Sequence, residues 1–342
     1  MVIHYKCPNC GSDMEFDSTS GMLSCTSCGR KDNIEDFSDE YIMTTFEGDE
    51  AKQYNCNNCG AVIITDADTT ATSCSFCGAA VVLGDRLSGD LAPAKVIPFT
   101  INKDQAMEAF RKWCKNGRLT PKGFMTADRV KGITGMYVPF WLYDLDSKAK
   151  VDAVGTKVRT YTRGDYIYTE TKFYDVYRDI DLKYVKVPVD ASEKMDDELM
   201  DKLEPYDYNN LKDFKTPYLA GYIAEKYNYT DQELLSRVKT KVQPYIDSYI
   251  GSTIAGYSSV QYKNKQINTN KKNAYYVLLP VWLVYYDFGN KEHIFAMNGQ
   301  TGKVVGKPPL SMGKVAGWFS GIAAASFIIL KGISFAVGGV LW

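Results

Sequence analysis

Cys7-Pro8-Asn9-Cys10-Gly11 and Cys25-Thr26-Ser27-Cys28-Gly29 open the chain, and Cys56-Asn57-Asn58-Cys59-Gly60 with Cys74-Ser75-Phe76-Cys77-Gly78 repeat the pattern. Every cysteine of the first set recurs 49 residues later, and 14 residues separate the two CxxC pairs in both copies. A CxxC turn places two sulfurs on one side of an ion, and four thiolates at about 2.3 Å form the closed tetrahedron of structural zinc. A glycine after the second cysteine permits positive φ, which turns backbone N–H groups toward the sulfurs. The intervening residues suit a short hairpin, so each unit reads as a zinc ribbon. Cys7, Cys10, Cys25 and Cys28 hold one zinc ion, and Cys56, Cys59, Cys74 and Cys77 hold a second. Rubredoxin-like iron is the competing metal, because tetrahedral thiolate geometry admits both. Four protein ligands leave no position for water, and a unit below ~40 residues depends on its metal to fold, so the expected role is structural.

Around these units the chain has 342 residues, 45% hydrophobic and 24% charged, enough for ordinary cores in two or three domains. Met1-Val2-Ile3-His4-Tyr5-Lys6 lacks the basic and apolar regions of a secretory signal. Eight of the nine cysteines fall in CxxC pairs, which reads as metal ligation in a reducing compartment rather than a disulfide framework. The ninth, Cys114, lies in a helical pattern over 103–116 begun by Asn102 and reads as a small buried hydrophobe. The net charge of −1 hides an asymmetry: residues 1–90 hold 15 Asp/Glu against 5 Lys/Arg, a balance of −10, and the rest carries +9. An acidic N-terminal module argues against binding to a nucleic-acid backbone.

The middle of the chain reads as mixed α+β. Tyr-, Val- and Thr-rich strands are expected at 135–145, 149–162, 166–177 and 183–189, and again at 274–286 and 292–297. Asp190-Ala191-Ser192 is expected to open a helix over 193–203. Thr230-Asp231-Gln232-Glu233 is a capping box for a second helix that Pro244 should kink or end. Pro139-Phe140-Trp141-Leu142 resembles Pro280-Val281-Trp282-Leu283, which suggests a duplicated antiparallel α+β unit. The aromatic stripe reads as packed core with tyrosine tips at the surface. No Walker loop, GxGxxG, GxSxG or HExxH occurs, and the two histidines, His4 and His293, stand far apart. The expectation is a protein that is not an enzyme and has no small-molecule substrate.

After Pro308-Pro309 and Lys314, residues 315–330 carry no charge, Lys331 interrupts, and 332–342 again carry none. As one helix, 315–342 would reach about 42 Å, and Trp318 and Trp342 would sit roughly 36 Å apart, near the two aromatic belts of a bilayer. Lys303, Lys307 and Lys314 precede the span, so the positive-inside rule keeps the ribbons and main domain cytoplasmic. Gly317, Gly321 and Ala325 form a small-residue ridge suited to helix pairing. The organisation expected is a first ribbon over 1–40, a second over 50–90, an α+β domain over 95–309 and a transmembrane helix over 314–342.

Two CxxCG ribbons, a Tyr/Trp-rich middle with Tyr218-Leu219-Ala220-Gly221-Tyr222-Ile223-Ala224-Glu225, and an apolar tail resemble the YdjG-type membrane proteins of Firmicutes along essentially the whole chain. The ribbons are similar to those of transcription factor IIB. The resemblance implies a cell-membrane protein of a phage-shock-like envelope-stress system. Its implied partners are a second membrane protein, a soluble ribbon-bearing protein and a PspA-like coat protein. It carries over only the eight ligand cysteines and no catalytic residue. The alternative is a nucleic-acid-binding protein of replication or transcription acting through its ribbons, with the Lys/Arg at 111–131 as a separate patch.

Overall fold

The computed structural model describes residues 2–3, 5–37, 52–56, 58–65, 68–74, 77–83, 92–115, 119–121, 124, 130–288 and 291–336. Eight short strands build the N-terminal quarter. β1 (Val2–Ile3), β2 (Met14–Asp17), β3 (Met22–Cys25) and β4 (Lys31–Asp32) belong to the first CxxC unit. β5 (Lys52–Asn55), β6 (Val62–Thr65), β7 (Thr69–Ser73) and β8 (Ala80–Leu83) belong to the second. The first unit closes on itself as the sheet β2-β3-β4. In the second, β6 pairs back with β5, whereas β7 and β8 leave to join the main sheet. The copies share ligand spacing and the pairing of their last two strands, Leu23↔Asp32 recurring as Thr72↔Val81, and differ in that β3 also pairs with β2 whereas β7 pairs with Ala224–Glu225 of the body. The difference has a physical source in Thr70 and Ala71, which are fully buried where β7 meets the body.

The body is organised by long strands. After β9 (Lys95–Val96) and α1 (Lys103–Lys115) come β10 (Val130–Arg163) and β11 (Tyr166–Asp190). Next follow α2 (Asp197–Leu203), β12 (Lys212–Asp213), β13 (Ile223–Glu225) and α3 (Leu235–Thr253). β14 (Ser259–Phe288), β15 (Lys291–Asn298), β16 (Val304–Gly306) and α4 (Met312–Ala336) complete the chain. One edge of β10 pairs antiparallel with β14 from Val130↔Tyr286 to Thr156↔Ser259. Its other edge takes β13 in parallel at Met136–Tyr137 and then β11 from Phe140 to the tip. The result is an 11-stranded sheet whose path begins at β1 and β8 and ends at β15 and β16. The two Pro-x-Trp-Leu stretches lie on neighbouring strands, with Tyr137 opposite Pro280 and Pro139 opposite Leu278. Each tryptophan donates its indole N–H to a connecting segment, Trp141 to the Tyr229 carbonyl (2.9 Å) and Trp282 to that of Ile101 (3.0 Å).

Several expected boundaries move. The break expected near residues 146–148 is absent, and β10 runs through it. Ser147 is buried there with its hydroxyl 2.8 Å from that of Thr269, while the side chain of Lys148 faces outward, so alternation outweighs local turn chemistry. The same holds at 178–182, where Ile180 is buried and Asp179 and Asp181 face Lys150 and Lys148. α2 starts at Asp197 rather than 193, capped by Asp196 accepting from the Leu199 N–H (2.7 Å). Pro244 does not end α3, which continues to Thr253. It sits on the exposed face, while Val238, Val242, Ile246 and Ile250 bury the opposite one against β10 and β11. Two caps stand as expected: Asn102 with Gln105 ahead of α1, and Thr230 with Glu233 ahead of α3. Tyr137 and Tyr143 are wholly inside the core rather than carrying their tips to the surface. Cys114 is buried as expected, and burial pushes its thiol up to about 12. Trp342 and most of 116–129 lie outside the described residues.

Charged groups fasten α2 to α3. Arg237 donates to Asp197 and Asp201, and Lys241 donates to Asp201, Glu204 and the Pro188 carbonyl. Beneath this cluster Asp190 is fully buried; its Oδ1 accepts the Ser192 N–H (3.1 Å), and its Oδ2 has no partner. Burial raises the Asp190 carboxyl to about 7. The native state then holds a proton that the unfolded state releases near pH 4, so this group costs stability as pH rises toward and through 7. Asp190→Asn should melt a few degrees above the parent chain at pH 8, with the gain shrinking toward pH 5; thermal unfolding over that range checks it.

Candidate metal centres

The four CxxCG knuckles are four copies of one turn. The first cysteine's N–H donates to the carbonyl five residues on: Cys7 to Ser12, Cys25 to Arg30, Cys56 to Ala61 and Cys74 to Ala79, each at 2.8 Å. The glycine N–H donates back to that first cysteine, over 2.7–3.1 Å. Closing this loop requires the left-handed region, and Gly11, Gly29, Gly60 and Gly78 have φ of +74°, +73°, +75° and +74°. A side chain there would strain the turn, which is why glycine recurs at all four positions.

The knuckles bring their sulfurs together in two groups of four, each with all its sulfurs within 4.8 Å of one another. In the first, Cys7 and Cys28 Sγ are 3.6 Å apart and Cys10 and Cys25 Sγ 3.5 Å. In the second, Cys56 and Cys77 are 3.7 Å apart and Cys59 and Cys74 3.8 Å. A tetrahedron with Zn–S bonds of ~2.3 Å has sulfur edges of ~3.8 Å, so the donor sets fit two zinc ions. In each pair the first cysteine is buried and the second exposed, which places an ion at the surface with half of its ligands rooted in the core.

Backbone donors prepare the exposed sulfurs. The Ser12 N–H lowers Cys10 to about 6, the Ala79 N–H lowers Cys77 to about 6, and the Arg30 N–H lowers Cys28. Burial instead raises Cys7 to about 11. At Cys59 the Ala61 N–H pulls down, but the neighbouring sulfurs and burial outweigh it and lift the thiol to about 12. Four thiols this close cannot all ionise without a cation between them, so binding a divalent ion and deprotonating the set are one event. Asn9 and Asn58 add a side-chain donor to each site, their Nδ2 atoms 3.8 Å from Cys28 Sγ and 3.5 Å from Cys77 Sγ. These asparagines were missed in the reading of the sequence. The signal was present, because CxNC recurs with the same displacement of 49 as the ligands.

Both sites are continuous with the body. Phe16 of the first unit donates its N–H to the Ala220 carbonyl (3.0 Å) and packs its ring on Tyr218 (5.4 Å) and Tyr222 (6.4 Å). Met14, Leu23 and the ligands Cys7 and Cys25 share a core cluster with Tyr137 and Leu278. The second unit joins through Ala71↔Ala224, and β1 of the first pairs with β8 of the second. The segment Tyr218–Glu225 thus touches both ribbons. His293, on β15, packs its ring against Phe124 (6.1 Å) and is distant in sequence from any ligand.

Two closed four-sulfur centres on knuckle turns make this a zinc-ribbon protein, and residues 5–46 match the zinc-binding ribbon of transcription factor IIB. Across 339 residues the chain is 68% identical to YdjG of Bacillus subtilis (strain 168), with 99% of each chain covered. It belongs to the YdjG family. No solved structure matches it.

Because ligands are shared with the core, losing a metal should loosen more than a ribbon. Cys7→Ser with Cys10→Ser should leave one zinc per chain by elemental analysis and lower the melting temperature of the whole body, not only of residues 5–37. A milder change, Asn58→Ala, should weaken zinc at the second site about tenfold in chelator competition while leaving the first unchanged.

Proposed function

We propose that the chain is a non-catalytic scaffold, anchored in the cell membrane by α4, that presents its zinc ribbons to cytosolic partners. The observation that carries this reading is α4 itself. Met312–Ile333 is apolar over 22 residues, long enough to cross a bilayer at about 33 Å, and none of it is buried by the rest of the chain. It is therefore not a core helix of the folded body, and a surface of that kind calls for a lipid or protein cover. Lys303, Lys307 and Lys314 on its N-terminal side favour a cytoplasmic body, where the zinc thiolates stay reduced. The +9 balance beyond residue 90 suits an anionic inner leaflet, at about 1 kcal/mol for each cation near its surface.

Lys331 lies two residues from the end of Met312–Ile333, where a long side chain snorkels to the interface and avoids the cost of a charge at the bilayer centre. It stands 5.8 Å from the Phe327 ring, and with the Gly317, Gly321 and Ala325 ridge it favours a span that contacts a second membrane protein. The resemblance to YdjG-type proteins supports the remaining partners, a soluble ribbon-bearing protein and a PspA-like coat protein in an envelope-stress response. The antiparallel meeting of the two Pro-x-Trp-Leu strands supports reading the body as a duplicated unit.

Affinity purification of the full chain from detergent-solubilised membranes is the test. Recovery of a second membrane protein with a PspA-like protein is expected, and Cys56→Ser with Cys59→Ser should lose a docked partner yet stay in the membrane fraction. Recovery from the soluble fraction with nuclease-sensitive material would overturn the reading in favour of nucleic-acid binding.

A further inference from the structure

The first ribbon keeps a pair of charged residues that its copy lacks. At the displacement of 49 residues Tyr5 recurs as Tyr54 and Asn9 as Asn58, but Lys6 and Asp13 fall opposite Asn55 and Val62. Lys6 directly precedes the ligand Cys7, and its backbone is bridged to that of Asp13 at the base of the knuckle. Its ammonium donates to Asp13 Oδ1 (2.5 Å) and also reaches out of its own ribbon to Asn58 Oδ1 of the second (2.8 Å). The Asn58 Nδ2 is directed at Cys77 Sγ (3.5 Å), a ligand of the second site. A line of hydrogen bonds thus runs from the knuckle of one metal centre to a sulfur of the other.

An amide carries its oxygen and its nitrogen on opposite sides of one plane, so an ammonium on the oxygen fixes where the nitrogen points. Here the nitrogen points at a sulfur that becomes a thiolate when metal binds. Turned over, the same amide would set its oxygen against that sulfur, acceptor against acceptor. Lys6 stands at the surface, where water screens its charge, so what it supplies is mainly this orientation. The first site has no equivalent support. Asn9 lies 3.8 Å from Cys28 Sγ, and among the described residues no cation holds its oxygen.

The position of Lys6 depends in turn on the first site being closed. Lys6 and Asp13 are opposed because the chain between them folds into the knuckle, with the Cys7 N–H on the Ser12 carbonyl (2.8 Å) and the Met14 N–H on the Tyr5 carbonyl (2.9 Å). A ribbon of this size relies on its metal to hold such a turn. The backbone sets the two centres side by side. β1 leads into the first knuckle of one site and pairs with β8, which leaves the last knuckle of the other, at Val2↔Leu83 and Ile3↔Val82. β8 is buried on both faces: Val82 belongs to the cluster that contains Cys7 and Cys25, Val81 and Leu83 to the one that contains Cys56 and Cys74.

We infer that Lys6 joins the two zinc centres into one loading unit. An ion in the first site fixes Lys6, Lys6 fixes Asn58, and Asn58 strengthens the hold on the second ion. Linkage makes the effect reciprocal, so an ion in the second site strengthens the first by the same factor. Lys6 acts through Asn58, so that factor is bounded by what Asn58 itself contributes, about tenfold. Chains with a single zinc are therefore disfavoured, and stripping either site loosens the other.

Native mass spectrometry of the full chain in detergent tests this by counting chains that hold no zinc, one or two. The loaded protein is brought by graded chelator to a mean of one zinc per chain. For two independent sites of any affinities, at least half of the chains hold one ion at that point, because this fraction is the sum of the squares of two occupancies that add to one. Tenfold coupling of matched sites lowers it to about a quarter. Lys6→Met keeps the aliphatic stem and removes the donor; it should return the fraction to half or more, with Cys59 and Cys77 the thiols that N-ethylmaleimide now labels first. Lys6→Arg keeps a donor and should restore the low value. With zinc in excess all three chains should melt together, which separates coupling from folding. A single-zinc fraction of half or more in the parent chain overturns the proposal. So does a low fraction that survives Lys6→Met, because the coupling then runs through β8 and not through Lys6.

Discussion

The pairing of β10 with β14 is the constraint on which the other elements hang. It runs from Val130↔Tyr286 to Thr156↔Ser259, and every remaining strand of the main sheet reaches that ladder directly or through one that does. Neither strand could be replaced by local structure. The contacts span more than a hundred residues of sequence, so the ladder forms only when the two halves of the chain meet. The register shifts at Val130/Gly132, Asp144/Leu145 and Asp152/Ala153, irregularities of the kind that bend a strand and increase its local twist. α3 then covers one region and α2 another, each through a buried apolar stripe.

The zinc centres extend the same logic to the N-terminus. A free ribbon has too little apolar surface to fold without metal. Here the second ribbon's β7 and β8 are strands of the main sheet, and the first ribbon's Phe16 packs on the Tyr218–Glu225 segment. Metal binding and packing of the body are thus linked, since the buried sulfurs belong to the hydrophobic clusters that they help to close.

The eight ligand cysteines were legible in the sequence, because ligand type, spacing and knuckle glycine are all local properties, whereas the supporting asparagines Asn9 and Asn58 were missed. α1 and its Asn102 cap were legible for the same reason. The length of β10 and β11 was not. Residues 146–148 and 178–182 carry turn-forming side chains whose preferences yield only when a partner strand satisfies them, as Thr269 does for Ser147. Pro244 shows the same limit in a helix: four buried aliphatic side chains outweigh one missing N–H on the exposed face. That β3 pairs with β2 while its counterpart β7 pairs with β13 could not be read from identical spacing, since it depends on where Ala71 finds Ala224.

The root of α4 has a mechanical consequence. Ser311 donates its N–H to the Leu119 carbonyl (2.8 Å), and Lys314 reaches the Thr120 carbonyl (2.6 Å), so the start of the helix is tied by two hydrogen bonds to one short segment. A load on the helix therefore passes first to the connection between α1 and β10, on which Leu119 and Thr120 lie.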